Sequence, residues 1–237
     1  MYIFSLFLFP QYLIKYKNSF FHVIFYFHHF IFYFFYIMTI IIALKDTQNK
    51  RIILGADKQV TYGDTVQKVS TKIISIPVNI TDGYGEIIDT KKMHIAISGY
   101  PHLASFLQYG FPVPDMDDNQ DFIEYYYQTF IPAFHKAATG IDFLKYSSSR
   151  MDTGGDLLLI FKGQVYNIDF NMGVNLLDNE FYVAGSGYEI ATGSLYTNLK
   201  FHSEMNRVDM VKQAIISVGE TNLYCDSDVE VKVINYG

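Results

Sequence analysis

Short apolar runs separated by polar turns dominate the sequence from residue 39 onward. The runs are rich in β-branched side chains and are four to seven residues long, which is typical of strands. The predicted strands cover residues 39–44, 51–56, 72–76, 94–98, 157–161, 165–170, 181–184 and 229–235. Turns or loops are predicted at 46–50, 60–63, 82–90, 147–155 and 162–164. The first two strands should therefore form a hairpin.

Apolar positions at helical spacing predict four helices, at 101–109, 122–138, 188–199 and 208–218. Pro101 is suited to the start of the first helix, and Pro132 should kink the second. The order is strands, two helices, strands, two helices and a final strand. This order predicts two sheets with helices outside them, as one α+β domain over residues 38–237.

Residues 1–37 differ sharply from this domain. They contain eleven Phe, six Tyr and two Lys, but no acidic residue, no Gly and no Ala. The apolar run at 20–37 is long enough to cross a bilayer, which keeps a membrane anchor or propeptide as an alternative. No small residues stand before Met38 as a secretory signal would require. Unselected AT-rich DNA encodes this composition, so a mis-assigned start upstream of Met38 is the favoured interpretation.

Charge and cysteine content limit the classes of function. Without Lys15 and Lys17, the domain has 16 basic and 24 acidic residues, a balance of −8. This balance disfavours nucleic acid and anionic membrane surfaces as partners. The single Cys225 excludes an internal disulfide and fits a reducing, cytoplasmic location. The seven His are scattered without ligand spacing, so neither a metal nor another cofactor is expected.

Thr39 is the strongest candidate for chemistry. It follows Met38, which can be trimmed when a small residue comes next, leaving threonine with a free α-amine. An amine with a pKa near 7.7–8.0 can accept the proton of the adjacent hydroxyl at neutral pH. Nucleophile and base would then belong to the same residue, and no histidine would be needed.

Several stretches around Thr39 resemble the proteasome β-subunit family, and more closely its bacterial branch, the HslV-type peptidase subunits. They follow one another in the family's order: Thr39-Ile-Ile-Ile-Ala-Leu, Gly55-Ala-Asp57, Val60-Thr-Tyr-Gly63, Thr65-Val-Gln-Lys68 with Lys72-Ile73, Ile97-Ser-Gly99, Val183-Ala-Gly-Ser-Gly187 and Tyr224-Cys-Asp226. The resemblance covers 39–235 and none of residues 1–37. It implies the four-layer αββα sandwich of N-terminal-nucleophile hydrolases.

The resemblance also implies roles for individual residues. Lys72 would lie beside the Thr39 hydroxyl and lower its proton affinity, and Asp57 would pair with Lys72. Ser186 would hydrogen-bond near the Thr39 amine, and Cys225 would help to orient that amine. These five residues are the predicted catalytic set.

Backbone N–H groups at Ser98 and Gly99 would stabilise the tetrahedral oxyanion. The sequence departs from the family at Asn222, where the proteasome subunits have an aspartate and the bacterial branch lacks it.

Other interpretations of the same residues remain open at this point. Asp57 and Lys72 could form an ordinary surface pair. Ser186 could be a helix N-cap, and Tyr125 to Tyr127 are expected to pack a helix rather than to form a ligand cage.

The resemblance implies a threonine-type endopeptidase that cleaves unfolded protein within a homo-oligomeric ring, with an ATPase unfoldase as a further partner. Two alternatives stay open: a catalytically inactive scaffold subunit with the same fold, and a membrane protein anchored by residues 20–37.

Overall fold

The computed structural model describes residues 39–62, 65–99, 101–139, 155–169 and 171–236. The segment 1–37 and most of the predicted loop at 147–155 lie outside these ranges. The strands are β1 (Ile40–Asp46), β2 (Arg51–Asp57), β3 (Gln59–Tyr62), β4 (Thr65–Lys68), β5 (Ile73–Thr81), β6 (Ile87–Ile97), β7 (Met116–Asp117), β8 (Leu157–Phe161), β9 (Gln164–Ile168), β10 (Val174–Leu176), β11 (Phe181–Gly185) and β12 (Val229–Asn235).

The described ranges also contain five α-helical segments: α1 (Pro101–Ser105), α2 (Phe122–Tyr125), α3 (Ile131–Thr139), α4 (Tyr188–Phe201) and α5 (Arg207–Thr221). A π-helical turn, Phe106–Gly110, continues α1, and another, Tyr126–Phe130, joins α2 to α3. The second π turn ends just before Pro132, where the sequence predicts a kink and where the missing proline N–H cannot join the helical ladder. None of the helices in the described ranges is both long and apolar enough to cross a bilayer.

Two sheets form the centre of the domain. The first has the order β11-β1-β2-β12, and the second has the order β10-β9-β8-β6-β5-β7. The predicted hairpin of β1 and β2 is confirmed, with Ile41 opposite Ala56 and Asp46 opposite Arg51. Asp46 stabilises its turn by accepting from Asn49 N at 3.3 Å and from Arg51 Nε at 2.7 Å.

Three apolar layers hold the sheets and helices together. Ile40 and Ile42 of β1 pack with Met210 and Ile215 of α5 on the outer face of the first sheet. Alternate residues of the same strand, such as Ile41, belong to the layer between the two sheets.

The third layer joins the second sheet to α1–α3 and includes Tyr125 and Tyr126, which are fully buried. The aromatic run at 125–127 therefore contributes two residues to helix packing, as expected. With helices on both outer faces, the architecture is the predicted αββα sandwich.

Two sequence predictions were wrong. The predicted turn at 60–63 is largely strand β3, which pairs with the unpredicted β4 in a separate two-stranded ribbon. The predicted loop at 82–90 ends at Glu86, because β6 already begins at Ile87 and pairs with β5. Ile87 and Ile88 are exposed, so this end of β6 lacks the burial alternation from which a strand is predicted. Strands β7 and β10 were also missed.

Candidate active site

Thr39, Asp57 and Lys72 meet at one end of the two sheets. Thr39 directly precedes β1, and the hairpin register brings the end of β2, Asp57, beside it. Lys72 directly precedes β5 in the other sheet. The Thr39 hydroxyl donates to Asp57 Oδ1, and Lys72 Nζ donates to Thr39 Oγ1. Lys72 Nζ also donates to Asp57 Oδ1 at 2.8 Å.

The Asp57 carboxylate is held on both oxygens and is fully buried. Its Oδ1 also accepts from Ile40 N at 3.0 Å. Its Oδ2 accepts from Gln59 N at 3.1 Å and from Asp226 N at 3.2 Å. Backbone donors thus fix the carboxylate independently of Lys72. The alternative of an exposed surface pair is wrong.

The Lys72 ammonium is enclosed by acceptors. In addition to Thr39 and Asp57, it donates to the Gln59 carbonyl oxygen. Burial lowers the pKa of Lys72 because it disfavours the cation, while the negative charge of Asp57 acts in the opposite direction. Gln59 was not singled out from the sequence, since a main-chain acceptor leaves no signal in residue type.

Ser186 joins the end of β11 to Thr39. Its N–H donates to the Thr39 carbonyl at 2.9 Å, and its Oγ lies 3.5 Å from the same oxygen and 3.5 Å from Cys225 Sγ. Gly187, not Ser186, occupies the N-cap position of α4. The serine therefore contacts both Thr39 and Cys225, and the N-cap interpretation is wrong.

Cys225 is a buried, neutral group in this site. Burial raises its pKa to about 11, so the thiol stays protonated at neutral pH. Asn222, which stands where the proteasome subunits have aspartate, donates from Nδ2 to the Ser186 carbonyl at 3.3 Å. An amide donor at this position holds the Ser186 backbone without adding a charge to the site.

The two predicted oxyanion donors differ in availability. Ser98 N–H already donates to the Asp156 carbonyl at 2.9 Å. The Ser98 carbonyl oxygen lies against Gly155, where an added Cβ would be 1.7 Å from it. Because the peptide bond is trans, the Gly99 N–H points the opposite way, toward the side of β6 that carries β5. The Ser98 N–H is therefore occupied, whereas the Gly99 N–H is directed to the other side of the strand.

Gly185 permits the close approach between β11 and Thr39. It has φ of 108°, and a Cβ there would lie 2.0 Å from the Thr39 carbonyl oxygen. Gly185→Ala is therefore expected to lower the free energy of unfolding by at least about 1–3 kcal/mol. Denaturant unfolding measures the change.

Gly193→Ala is the matched control, since this α4 glycine has open space around it. The control should stabilise the protein by about 0.5–1 kcal/mol. Equal effects of the two substitutions would contradict the role of Gly185.

Among the described residues, no group of three or more His, Cys, Asp or Glu side chains is placed to hold a metal ion. The polar groups at Thr39 instead bind one another. They place a hydroxyl, an ammonium and a carboxylate in contact, which is an arrangement suited to activating the hydroxyl as a nucleophile.

Comparison with known proteins finds similarity at the level of solved structures. No family model matches the sequence, and no curated protein matches it. Thiobacillus denitrificans BPH in complex with epoxomicin superposes with a TM-score of 0.61 at 20% identity, covering 84% of this chain and 99% of that one. A second structure of the same BPH gives 0.62 at 18% identity, covering 84% and 98%.

Eukaryotic HslV from Trypanosoma brucei is also similar. It gives a TM-score of 0.53 at 16% identity, covering 84% of this chain and all of the other, 100%. At such identities the likeness concerns the fold, and it agrees with the layer order of the two sheets and their helices. The chain thus has the αββα fold of N-terminal-nucleophile hydrolases of the HslV and proteasome type.

Proposed function

We propose that this protein is a threonine-type endopeptidase whose nucleophile is Thr39. The observation that carries the proposal is the contact of the Thr39 hydroxyl with both Lys72 and Asp57 in a buried site. A threonine at the start of a strand without a catalytic role has no need of a buried ammonium at its hydroxyl, because a buried charge is costly.

In the proposed reaction, Thr39 Oγ attacks the carbonyl carbon of the scissile peptide bond while the α-amine of Thr39 takes the hydroxyl proton. Lys72 acts as a cation that lowers the proton affinity of the hydroxyl, and Asp57 keeps it in place. The Gly99 N–H donates to the oxyanion. The protonated α-amine gives its proton to the leaving amine, which yields an ester on Thr39.

Water then attacks the ester, with the α-amine again as base, and releases the acid product. Ser186 contacts the Thr39 carbonyl and Cys225 contacts Ser186, and in this proposal the two residues orient the Thr39 amine. No cofactor takes part in these steps.

The free amine is the decisive requirement of this mechanism. While Met38 is attached, the Thr39 nitrogen belongs to an amide and cannot accept a proton. We therefore propose that the working chain begins at Thr39, and that it forms homo-oligomeric rings in the cytoplasm that receive unfolded protein from an ATPase. The ring-type assembly belongs to this proposal because the resemblance of the sequence to HslV-type subunits implies it.

The test compares two preparations: residues 39–237 released with a free Thr39, and the full chain with Met38 retained. Intact mass establishes each N-terminus, and hydrolysis of fluorogenic peptides gives the rates. Only the free-threonine form should cleave, and epoxomicin, which the similar BPH binds, should inhibit it. Equal rates in both forms would contradict the amine mechanism. Inactivity of the free-threonine form would favour the scaffold alternative.

A further inference from the structure

Glu230 connects the first sheet to the residue that carries the ammonium of the site. It lies in β12, opposite Ala56 of β2, one position before Asp57. Its Oε2 accepts from the backbone N–H of Lys72 at 2.8 Å, and its Oε1 accepts from the Thr71 hydroxyl at 2.5 Å. One carboxylate thus holds the two consecutive residues that directly precede β5 of the opposite sheet.

This contact completes the fixation of the Lys72 backbone. The Lys72 carbonyl already accepts from Ile97 N at 3.0 Å. Glu230 takes the remaining polar group, the N–H. Since Lys72 has a long, flexible side chain, the position of its ammonium depends on where its backbone is anchored. Glu230 sets that anchor relative to β2, the strand that ends in Asp57.

Glu230 also contributes a charge. Burial has the largest effect and lowers the pKa of Lys72, whereas the negative charges of Asp57, of the Cys225 thiolate when it forms at high pH, and of Glu230 raise that pKa. Asp57 balances the ammonium at its tip, and Glu230 does so from the backbone end of the residue. Neither its position in the strand nor its residue type indicated this role in the sequence.

We propose that Glu230 is a positioning residue for Lys72: it holds the lysine backbone against β12 and adds a negative charge at the backbone end of that residue. The role in catalysis rests on the proposed peptidase function. The contact itself can be tested separately from activity.

Two substitutions separate the geometric from the electrostatic contribution. Glu230→Gln removes the charge but keeps an acceptor, and Thr71→Val removes one anchor without changing charge. For Glu230→Gln, we expect kcat to fall about 10-fold with KM nearly unchanged, because a small displacement of a catalytic group slows the reaction. We also expect the alkaline limb of the kcat/KM pH profile to move to lower pH, since Lys72 loses its proton more readily.

Thr71→Val should lower kcat by a smaller factor and leave the limb in place. Glu204→Gln is the matched control, because Glu204 is 78% exposed and removal of its charge should change neither quantity. Wild-type kcat and pH profile in Glu230→Gln would overturn the proposal.

If Glu230→Gln does not fold, Glu230→Asp is the second variant. It keeps the charge on a shorter side chain, so it should lower kcat and leave the alkaline limb unmoved. Wild-type kcat in that variant would equally overturn the proposal.

An NMR titration of ¹³Cε-labelled lysine provides a readout that needs no peptidase activity. The Lys72 resonance is identified by its loss in Lys72→Arg. Its pKa should be lower in Glu230→Gln than in wild type and unchanged in Glu204→Gln. An unchanged Lys72 pKa in Glu230→Gln would overturn the proposal for Glu230. An inactive wild type would overturn only the peptidase function, because the NMR titration does not depend on activity.

Discussion

Thr39→Ala is expected to abolish peptide hydrolysis in the form that begins at residue 39. The Thr39 hydroxyl is the only group in the proposed mechanism that forms a covalent bond to the substrate carbon. Removal of a nucleophile that acts as a unit with its base lowers kcat by as much as about 10⁶-fold in well-studied hydrolases. We expect a loss of that order, measured with fluorogenic peptides under single-turnover and steady-state conditions.

The fold should tolerate this substitution. Lys72 and Asp57 remain paired at 2.8 Å without the hydroxyl, and Asp57 keeps its three backbone donors. The free energy of unfolding should therefore fall by only about 1 kcal/mol.

Thr39→Ser is the matched variant, since it keeps a hydroxyl and should retain part of the activity. If Thr39→Ala cleaves peptides as fast as wild type, the peptidase proposal fails.

The second large effect is expected for Asp57→Asn, and it concerns stability as well as activity. Each carboxylate oxygen accepts from at least two donors. Oδ1 takes Thr39, Lys72 and Ile40 N, and Oδ2 takes Gln59 N and Asp226 N. In either orientation, the amide NH₂ of asparagine would face donors at one of these positions. The substitution also leaves the buried Lys72 without its closest counter-charge.

Breaking a buried ion pair on one side costs about 3–5 kcal/mol. We expect a loss of this size in the free energy of unfolding for Asp57→Asn, measured by denaturant titration, together with loss of hydrolysis. The lysine pKa should fall further, because the strongest favourable charge is gone.

Asp228→Asn is the control for the second prediction. Asp228 is 44% exposed and pairs with Lys58 at 3.5 Å at the surface. Its replacement should change stability by less than about 1 kcal/mol. Similar losses for the two aspartates would show that Asp57 is not the buried centre of the site.

The sequence determined the strands that are buried on both faces and the residues that meet at Thr39. Short, continuous, β-branched apolar runs such as Ile40–Leu44 predict strands, and the structure confirms this strand and buries it on both faces. Thr39 was singled out from its side chain and its place after Met38, whereas Asp57, Lys72, Ser186 and Cys225 were implied by the resemblance of short stretches to the HslV-type subunits. Their proposed roles depend on side-chain chemistry, which residue type specifies, so these residues could be found from the sequence.

Backbone partners were decided only by the tertiary structure. Hydropathy reports whether side chains are buried, and therefore it missed the exposed half of β6 and the ribbon of β3 and β4. It could not show that the Ser98 N–H already donates to the Asp156 carbonyl. Nor could it show that Glu230, 158 residues away, fixes the backbone of Lys72. Such contacts depend on how two sheets are stacked, which no local pattern of residues specifies.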